Sequence, residues 1–316
     1  MTTASIPVAR GRLRTYAAFV RFEHTLFSLP LILAGVFSVP GRAMDLSRWA
    51  LVAAAAVGAR TAAMALNRLV DRRLDALNPR TRIRELPSGA MKLGEAIALL
   101  LLSVAAYLAA CAMLGRWFLL VSPIPLAVFV LYPYLKRFTP LCHFGVGVAL
   151  ALAPLAGFAA AHPDLSGLAP ALLLSAFALL WVSGFDIIYA TLDESFDRAH
   201  HVHSMAAWLG RERALRVSAL LHLAAFACLI GAALAVLGGA RSHAIATGFA
   251  ADASNAWRAL AAPVATAMLL AIAGTLLFLE QRWAENVNLA FFKVNVWVGV
   301  VVLAIVLAAR SAGGFS

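Results

Sequence analysis

Asn67-Arg-Leu-Val-Asp71-Arg-Arg-Leu-Asp75 closes an apolar run that begins near residue 48. An amide and two carboxylates recur at every fourth position, so a helix presents all three on one face. The residues before them are long and apolar enough to cross a bilayer, which places the acids at a membrane boundary. Carboxylates there are costly unless something pairs with them, and they mark a functional site by default. A second set lies in the other half of the chain, Asp186-Ile-Ile-Tyr189-Ala-Thr-Leu-Asp193-Glu-Ser-Phe-Asp197. Its polar members follow 3, 4 and 4 spacing and share a helix face in turn. Two such motifs facing each other suit divalent metal ions and a diphosphate.

The rest of the chain supports the membrane reading. Its 316 residues are 63% hydrophobic and 13% charged, against about 45–50% apolar and about 25% charged in a soluble domain. Apolar segments near the length needed to cross about 30 Å of hydrocarbon fall at 16–38, 48–70, 95–115, 117–135, 141–161, 167–190, 213–237, 258–279 and 288–310. We therefore expect an all-α polytopic membrane protein of nine transmembrane helices, a single domain over residues 1–316. Alanine and leucine dominate and no long run alternates apolar with polar, which argues against strands.

The formal charge of +11 is unevenly placed. With the N-terminus in the cytoplasm, the inside segments hold Arg10, Arg12, Arg14, Arg21, the cluster from Arg68 to Lys92, Lys136, Arg137, the cluster from Arg198 to Arg216, Arg282 and Lys293. The outside segments hold only Arg42, Arg48, Arg116, Arg241, Arg258 and Arg310. The positive-inside rule favours this orientation, a bacterial-type inner membrane with both acidic motifs towards the cytoplasm. Because the basic residues follow loop topology, nucleic acid is not an expected partner; the lipid bilayer is. The N-terminal arginines before an apolar stretch suggest a signal peptide, but Arg21, Glu23 and His24 interrupt it, and a retained first helix is expected. Active-site loops are expected at about 68–94 and 191–212, with Pro79 ending the helix that carries Asp71 and Asp75. Residues 238–257, rich in Gly, Ala and Ser, read as a flexible external loop. Cys111, Cys142 and Cys228 have no metal-type spacing and read as small buried hydrophobes.

The paired motifs specify a chemistry. An allylic diphosphate ionises when its leaving group is stabilised as charge develops. Magnesium does this through carboxylates together with substrate phosphate oxygens. The acids Asp71, Asp75, Asp193 and Asp197, with Asn67, suit two or three magnesium ions bridged by diphosphate, and Asp186 supports that shell. Arg72, Arg73, Arg80, Lys136 and Arg137 lie on the required side to neutralise the remaining oxygens. The alternative for the first motif alone is a salt-bridged helix end, Asp71 with Arg68 or Asp75 with Arg72. Asp186 has apolar neighbours in sequence and no such explanation. Arg60 lies two turns before Asn67 on the same face, and its depth calls for an anionic partner.

On these residues the chain resembles the UbiA superfamily of intramembrane aromatic prenyltransferases, over nearly its whole length. Asn67, Asp71 and Asp75 match the family's first motif; Asp186, Tyr189, Ala190, Asp193 and Asp197 match its second. Asn78-Pro-Arg-Thr81 and Tyr132-Pro-Tyr-Leu-Lys136-Arg137 agree as well. The resemblance implies a nine-helix bundle around a central cavity open to the cytoplasm, with Arg21, Arg60, Arg80, Tyr132 and Lys136 around the diphosphate or its pocket. Glu194, where several relatives carry a basic residue, and Arg82-Ile83, in place of a small-polar pair, depart from the pattern.

Arg21-Phe-Glu-His-Thr-Leu-Phe-Ser-Leu-Pro30, Gly184-Phe-Asp-Ile-Ile-Tyr-Ala190 and His203-Ser204 look like the 4-hydroxybenzoate polyprenyltransferase-like branch. The expected partners are a polyprenyl diphosphate and an aromatic acid, in ubiquinone biosynthesis. Some members of that branch instead take 1,4-dihydroxy-6-naphthoate in menaquinone biosynthesis by the futalosine route. A rival of another class is an organic-anion or lipid transporter, which also uses buried charge; a third is hydrolysis of the diphosphate alone. Asp71, Asp193, Asp186 and Tyr189 are the catalytic candidates. His200, His201 and His203 read as a polar loop, His143 and His222 as hydrogen-bonded packing residues, and Phe22, Phe27 and Phe144 as packing before any cation-stabilising role.

Overall fold

Proline decides where the first acidic helix stops. Pro79 disfavours a helical conformation at the residue before it, and Asn78 is extended (φ −82°, ψ 121°), capping a helix that ends at Leu77. This is seen in a computed structural model, which describes residues 11–21, 25–40, 44–249, 256–283 and 290–313. Among the described residues the chain is helical throughout, without strands. In order the helices are α1 (Arg12–Phe19), α2 (Thr25–Phe37), α3 (Leu46–Leu77), α4 (Leu93–Leu114), α5 (Arg116–Val121), α6 (Pro123–Leu135), α7 (Cys142–Ala161), α8 (Ala169–Ala190), α9 (Glu194–Ala199), α10 (Met205–Leu209), α11 (Arg211–Ala246), α12 (Ala256–Arg282) and α13 (Ala290–Arg310).

Helix α3 has 32 residues, or about 48 Å at 1.5 Å per residue, well beyond the hydrocarbon thickness. Asp45 fixes its start by accepting the Arg48 N–H at 2.7 Å. The excess length puts its last turns, with Asp71 and Asp75, past the apolar layer.

Eight helices among the described residues are long and apolar enough to cross a membrane, and the chain is an integral multi-pass membrane protein. Of the nine expected spans, the first is not established as a full crossing among the described residues. Residues 16–38 are divided between α1 and α2, and Arg21 between them has φ +49°. Helix α2 has 13 residues, about 20 Å, shorter than a full crossing. Glu23, His24 and Phe22 lie outside the described residues, as does the Phe27 side chain. One correction concerns residues 238–257: α11 continues to Ala246. Val236, Leu237 and Ala240 bury themselves against Ala262 and Ala309, and that packing overrides the loop-like composition. Residues 250–255 lie outside the described part, and so does the Lys293 side chain.

Packing follows small residues. A Cβ added to Gly35 of α2 would lie 2.0 Å from the Pro154 carbonyl oxygen of α7, and one on Gly157 of α7 would lie 2.0 Å from the Ile32 oxygen. Close approach of this kind is how helices associate where no hydrophobic force drives them together. Helix α3 packs on α4 and α6, α6 on α7, α7 on α8 and α2, and α8 on α11, while α13 closes against α2, α11 and α12. The largest core cluster, around Phe177, Trp181, Leu229, Val298 and Ile305, sits between α8, α11 and α13. It leaves α3 and α8 facing a cavity.

Candidate active site

Two adjoining cavities occupy the bundle. The larger, about 950 Å³, runs along α3 from Val52 to Arg68 and is walled mainly by apolar side chains of α3, α4, α6, α7 and α8. The sixteen helical steps from Val52 to Arg68 span about 24 Å, most of the hydrocarbon depth. The smaller, about 230 Å³, is polar and is lined by Asn67, Asp71, Asp75, Arg80, Lys136, Asp193 and Asp197. Asn67, Arg84, Tyr132, Val146, Asp186 and Tyr189 line both, so the two spaces meet at those side chains.

The termini of several helices build the polar chamber. Helix α3 delivers Asn67, Asp71 and Asp75; the C-terminus of α6 delivers Tyr132 and Lys136; the N-terminus of α7 delivers His143; and the end of α8 delivers Asp186 and Tyr189. The second motif is not one continuous α-helix. A 3₁₀ turn at Thr191–Asp193 separates α8 from α9, yet Asp186, Tyr189, Asp193 and Asp197 all still line the chamber.

Every acid here has a partner from another element. Lys136 Nζ reaches Asp71 Oδ2 at 2.5 Å. Arg84 Nη1 donates to both oxygens of Asp75, at 2.7 and 2.9 Å. Arg80 forms a bidentate pair with Asp193, its Nε 2.9 Å from Oδ1 and a terminal nitrogen on Oδ2. It also donates to the Tyr189 hydroxyl at 2.8 Å and lies over that ring. Asn78 Nδ2 donates to Asp193 at 3.0 Å, and its Oδ1 accepts the Arg80 N–H. Burial opposes the Arg80 charge, but its bonds to Asp193 and Tyr189 outweigh that and push its pKa up. Asp197 takes a hydrogen bond from Ser204. These pairings replace the expected alternative of contacts along one helix, Asp71 with Arg68 or Asp75 with Arg72.

Asp186 has a different kind of partner. His143 Nδ1 lies 2.7 Å from its Oδ2, and His143 Nε2 accepts the Met205 N–H at 3.1 Å. Since Nε2 must be bare to accept, Nδ1 carries the proton and donates it to the carboxylate. Among the described residues Asp186 is the only carboxylate that lines both cavities.

Of the basic candidates, Arg80 and Lys136 enter the chamber, while Arg21 and Arg60 line the large cavity with Tyr132. Arg72 and Arg137 line neither. Arg72 follows Asp71 by one residue, a turn of about 100°, and its Nη1 folds back to the Leu69 carbonyl at 2.9 Å. Arg137 lies past the end of α6, over the Tyr134 ring, with Nη2 on the Val70 carbonyl at 3.0 Å. Sequence reading missed Arg84, Ser204 and the Asp186 partnership of His143. Arg84 was visible only as one of several loop arginines, and the His143 pairing spans 43 residues, beyond any local pattern.

A hard divalent cation fits this donor set. The donors are oxygens, and Asp71 Oδ1 is buried without a hydrogen-bond partner. Among the described residues no three His, Cys, Asp or Glu side chains converge into a preformed cage. Magnesium takes one or two carboxylates and completes its shell with water and phosphate oxygens.

The profile of the UbiA prenyltransferase family matches residues 28–262. A 4-hydroxybenzoate octaprenyltransferase of Vibrio parahaemolyticus is 28% identical over 224 residues, covering 69% of this chain and 77% of the relative. The apo structure of a UbiA homologue from Aeropyrum pernix K1 superposes with a TM-score of 0.73 at 35% identity, over 90% of this chain and 97% of that one. A UbiA homologue from Archaeoglobus fulgidus, bound to DMAPP and Mg²⁺, shares the fold with a TM-score of 0.64 at 17% identity, over 94% and 99% of the two chains.

Proposed function

The chain belongs to the UbiA prenyltransferase family, and on that premise we propose that it transfers a polyprenyl group from a polyprenyl diphosphate to a hydroxylated aromatic acid, releasing diphosphate. The observation that carries this reading is the junction of an apolar cavity about 24 Å deep with a polar chamber lined by both acidic motifs. An amphiphile with a polyanionic head and a long apolar tail fits such a pair of spaces. Membership of a prenyltransferase family turns the transporter reading aside.

In the proposed mechanism the head enters the polar chamber and the tail the large cavity. Asn67, Asp71, Asp75, Asp193 and Asp197 would hold magnesium, as a homologue from Archaeoglobus fulgidus bound to DMAPP and Mg²⁺ supports. When bound, magnesium offsets the charge that develops on the departing diphosphate. Arg80 and Lys136 add positive charge in the same chamber, and Tyr189 positions Arg80 through its hydroxyl. The C1–oxygen bond breaks and its electron pair leaves with diphosphate. A ring carbon ortho to the acceptor hydroxyl then bonds C1, and the displaced ring proton passes to Asp186 at the junction. His143 keeps that carboxylate oriented and ready to accept.

The relatives named 4-hydroxybenzoate octaprenyltransferase support a 4-hydroxybenzoate-like acceptor, and 1,4-dihydroxy-6-naphthoate is the second acceptor to test. The distribution of arginines supports an active site facing the cytoplasm. The test is product mass and diphosphate release from the detergent-solubilised protein, supplied with magnesium, polyprenyl diphosphates and each acceptor. Prenylated acid with equimolar diphosphate is expected. Diphosphate release indifferent to acceptor would instead assign a hydrolase.

A further inference from the structure

Glu280 is an acid that the polar chamber does not use. It lies in the last turn of α12, 1% exposed, and its Oε2 accepts the indole N–H of Trp181 at 3.3 Å. That bond fixes a ring in the middle of α8. Trp181 is fully buried, stacks on Phe177 with centroids 5.5 Å apart, and meets Phe185 edge-on at 5.5 Å and 73°. Edge-to-face pairing is a favoured arrangement of two such rings, so Phe185 is braced from behind. The chain Glu280–Trp181–Phe185 thus runs from the core to the wall of the large cavity, which Phe185 lines.

The place of Phe185 on α8 gives the brace a use. Towards the chamber, Val182, Phe185, Asp186 and Tyr189 form the α8 part of the large cavity's wall, and the last two also border the chamber. Phe185 lies about 6 Å deeper along the helix than Tyr189. With the diphosphate in the chamber and the tail in the large cavity, the first carbons of the prenyl chain pass this ring. When the C1–oxygen bond breaks, positive charge is shared between C1 and C3 until the acceptor carbon bonds C1. Among the described residues, the charged side chains lining the large cavity are Arg21, Arg60, Arg68, Arg84 and Asp186. Four of these repel a cation, and the fifth is assigned to the ring proton. An aromatic ring attracts a cation through its quadrupole, most strongly where water is excluded. Unlike a carboxylate, it has no oxygen to capture the carbon. Tyr189 borders the same space, but Arg80 already lies over its ring, 4.7 Å from the centroid.

We propose that Phe185 is a catalytic residue whose ring stabilises the allylic cation, and that Glu280, acting through Trp181, is the positioning residue that holds the ring in place. This rests on the prenyl transfer proposed above. Phe185 itself forms and breaks no bond.

The test replaces Phe185, in the full chain, with mono-, di- and trifluorophenylalanine, which keep the shape of the ring and withdraw the negative charge of its face. The logarithm of the single-turnover rate should fall in a straight line with fluorine count, by about 3- to 30-fold across the series. The KM for prenyl diphosphate and the thermal midpoint should hardly move. Glu280→Leu should flatten that dependence, and Glu280→Gln, which still accepts the indole N–H, should restore it; a side chain that only supports the fold would leave the slope unchanged. A rate indifferent to fluorine at Phe185, or a dependence that appears only when the series is placed at Tyr132, would overturn the assignment. The fluorinated series is nearly isosteric and stays decisive where Glu280→Leu fails to fold. Equilibrium binding of farnesyltrimethylammonium, beside the neutral isostere with carbon in place of nitrogen, reads the ring without turnover. With magnesium and inorganic diphosphate present, fluorination should weaken the cation and spare the isostere. That result from a protein that makes no prenylated acid would reject the proposed transfer and uphold the cation-binding ring; equal weakening of both ligands would count against the ring.

Discussion

His143 Nδ1 lies 2.7 Å from Asp186 Oδ2, joining the first turn of α7 to α8 at the meeting point of the two cavities. The bond orients a carboxylate that would otherwise stand in an apolar wall, and the Met205 N–H on the far nitrogen fixes the tautomer. Replacing His143 with Ala should cost about 1–3 kcal/mol of stability through the orphaned hydrogen-bonding groups, and turnover should fall by about 10- to 100-fold. His143→Gln, able to donate once, should recover part of the rate. Steady-state kinetics with a thermal midpoint check this; a variant destabilised but fully active would remove Asp186 from the proton step.

That pairing marks the limit of what the sequence carries. The ladder Asn67, Asp71, Asp75 and the run Asp186 to Asp197 are legible because their spacing is local and the helix repeat maps it directly onto a face. Pro79 announces the end of α3 for the same reason. The partners of these acids are set by helix packing: Lys136 reaches Asp71 across 65 residues and Arg80 reaches Asp193 across 113. Composition misjudged the segment after residue 238, because Ala240 and its neighbours gain more by packing on α12 and α13 than Gly and Ser lose in a helix.

Asp71 should separate activity from folding. Its side chain is nearly buried, but its partner Lys136 is partly exposed, with 27% of the side-chain surface accessible, and can be resolvated when the acid is neutralised. Asp71→Asn is expected to keep stability within about 1 kcal/mol while lowering turnover by about 100-fold or more through loss of charge in the chamber. Asp193→Asn should behave alike. Near-normal turnover for both variants, measured in matched membranes, would sink the mechanism.

Arg80 tests geometry rather than charge. It combines a bidentate bond to Asp193, a bond to Tyr189 and a stacked position over that ring. Lysine keeps the positive charge and loses the fork and the stacking. Arg80→Lys should therefore lose about 10- to 100-fold in kcat/KM, chiefly for the prenyl diphosphate. If lysine substitutes without loss, Arg80 acts as a point charge only.

Metal binding has a readout that needs no turnover. A ligand that binds only the folded state raises stability by about 2.7 kcal/mol at one hundred times its Kd. Asp71 Oδ1 is an unpartnered oxygen, and phosphate oxygens are the natural remainder of a magnesium shell. Magnesium and inorganic diphosphate together should raise the thermal midpoint more than the sum of either alone. A chelator should abolish the shift, and Asp71→Asn and Asp193→Asn should each remove most of it. Strict additivity of the two ligands, with both variants responding like wild type, would place metal and diphosphate at separate sites and dismantle the shared chamber.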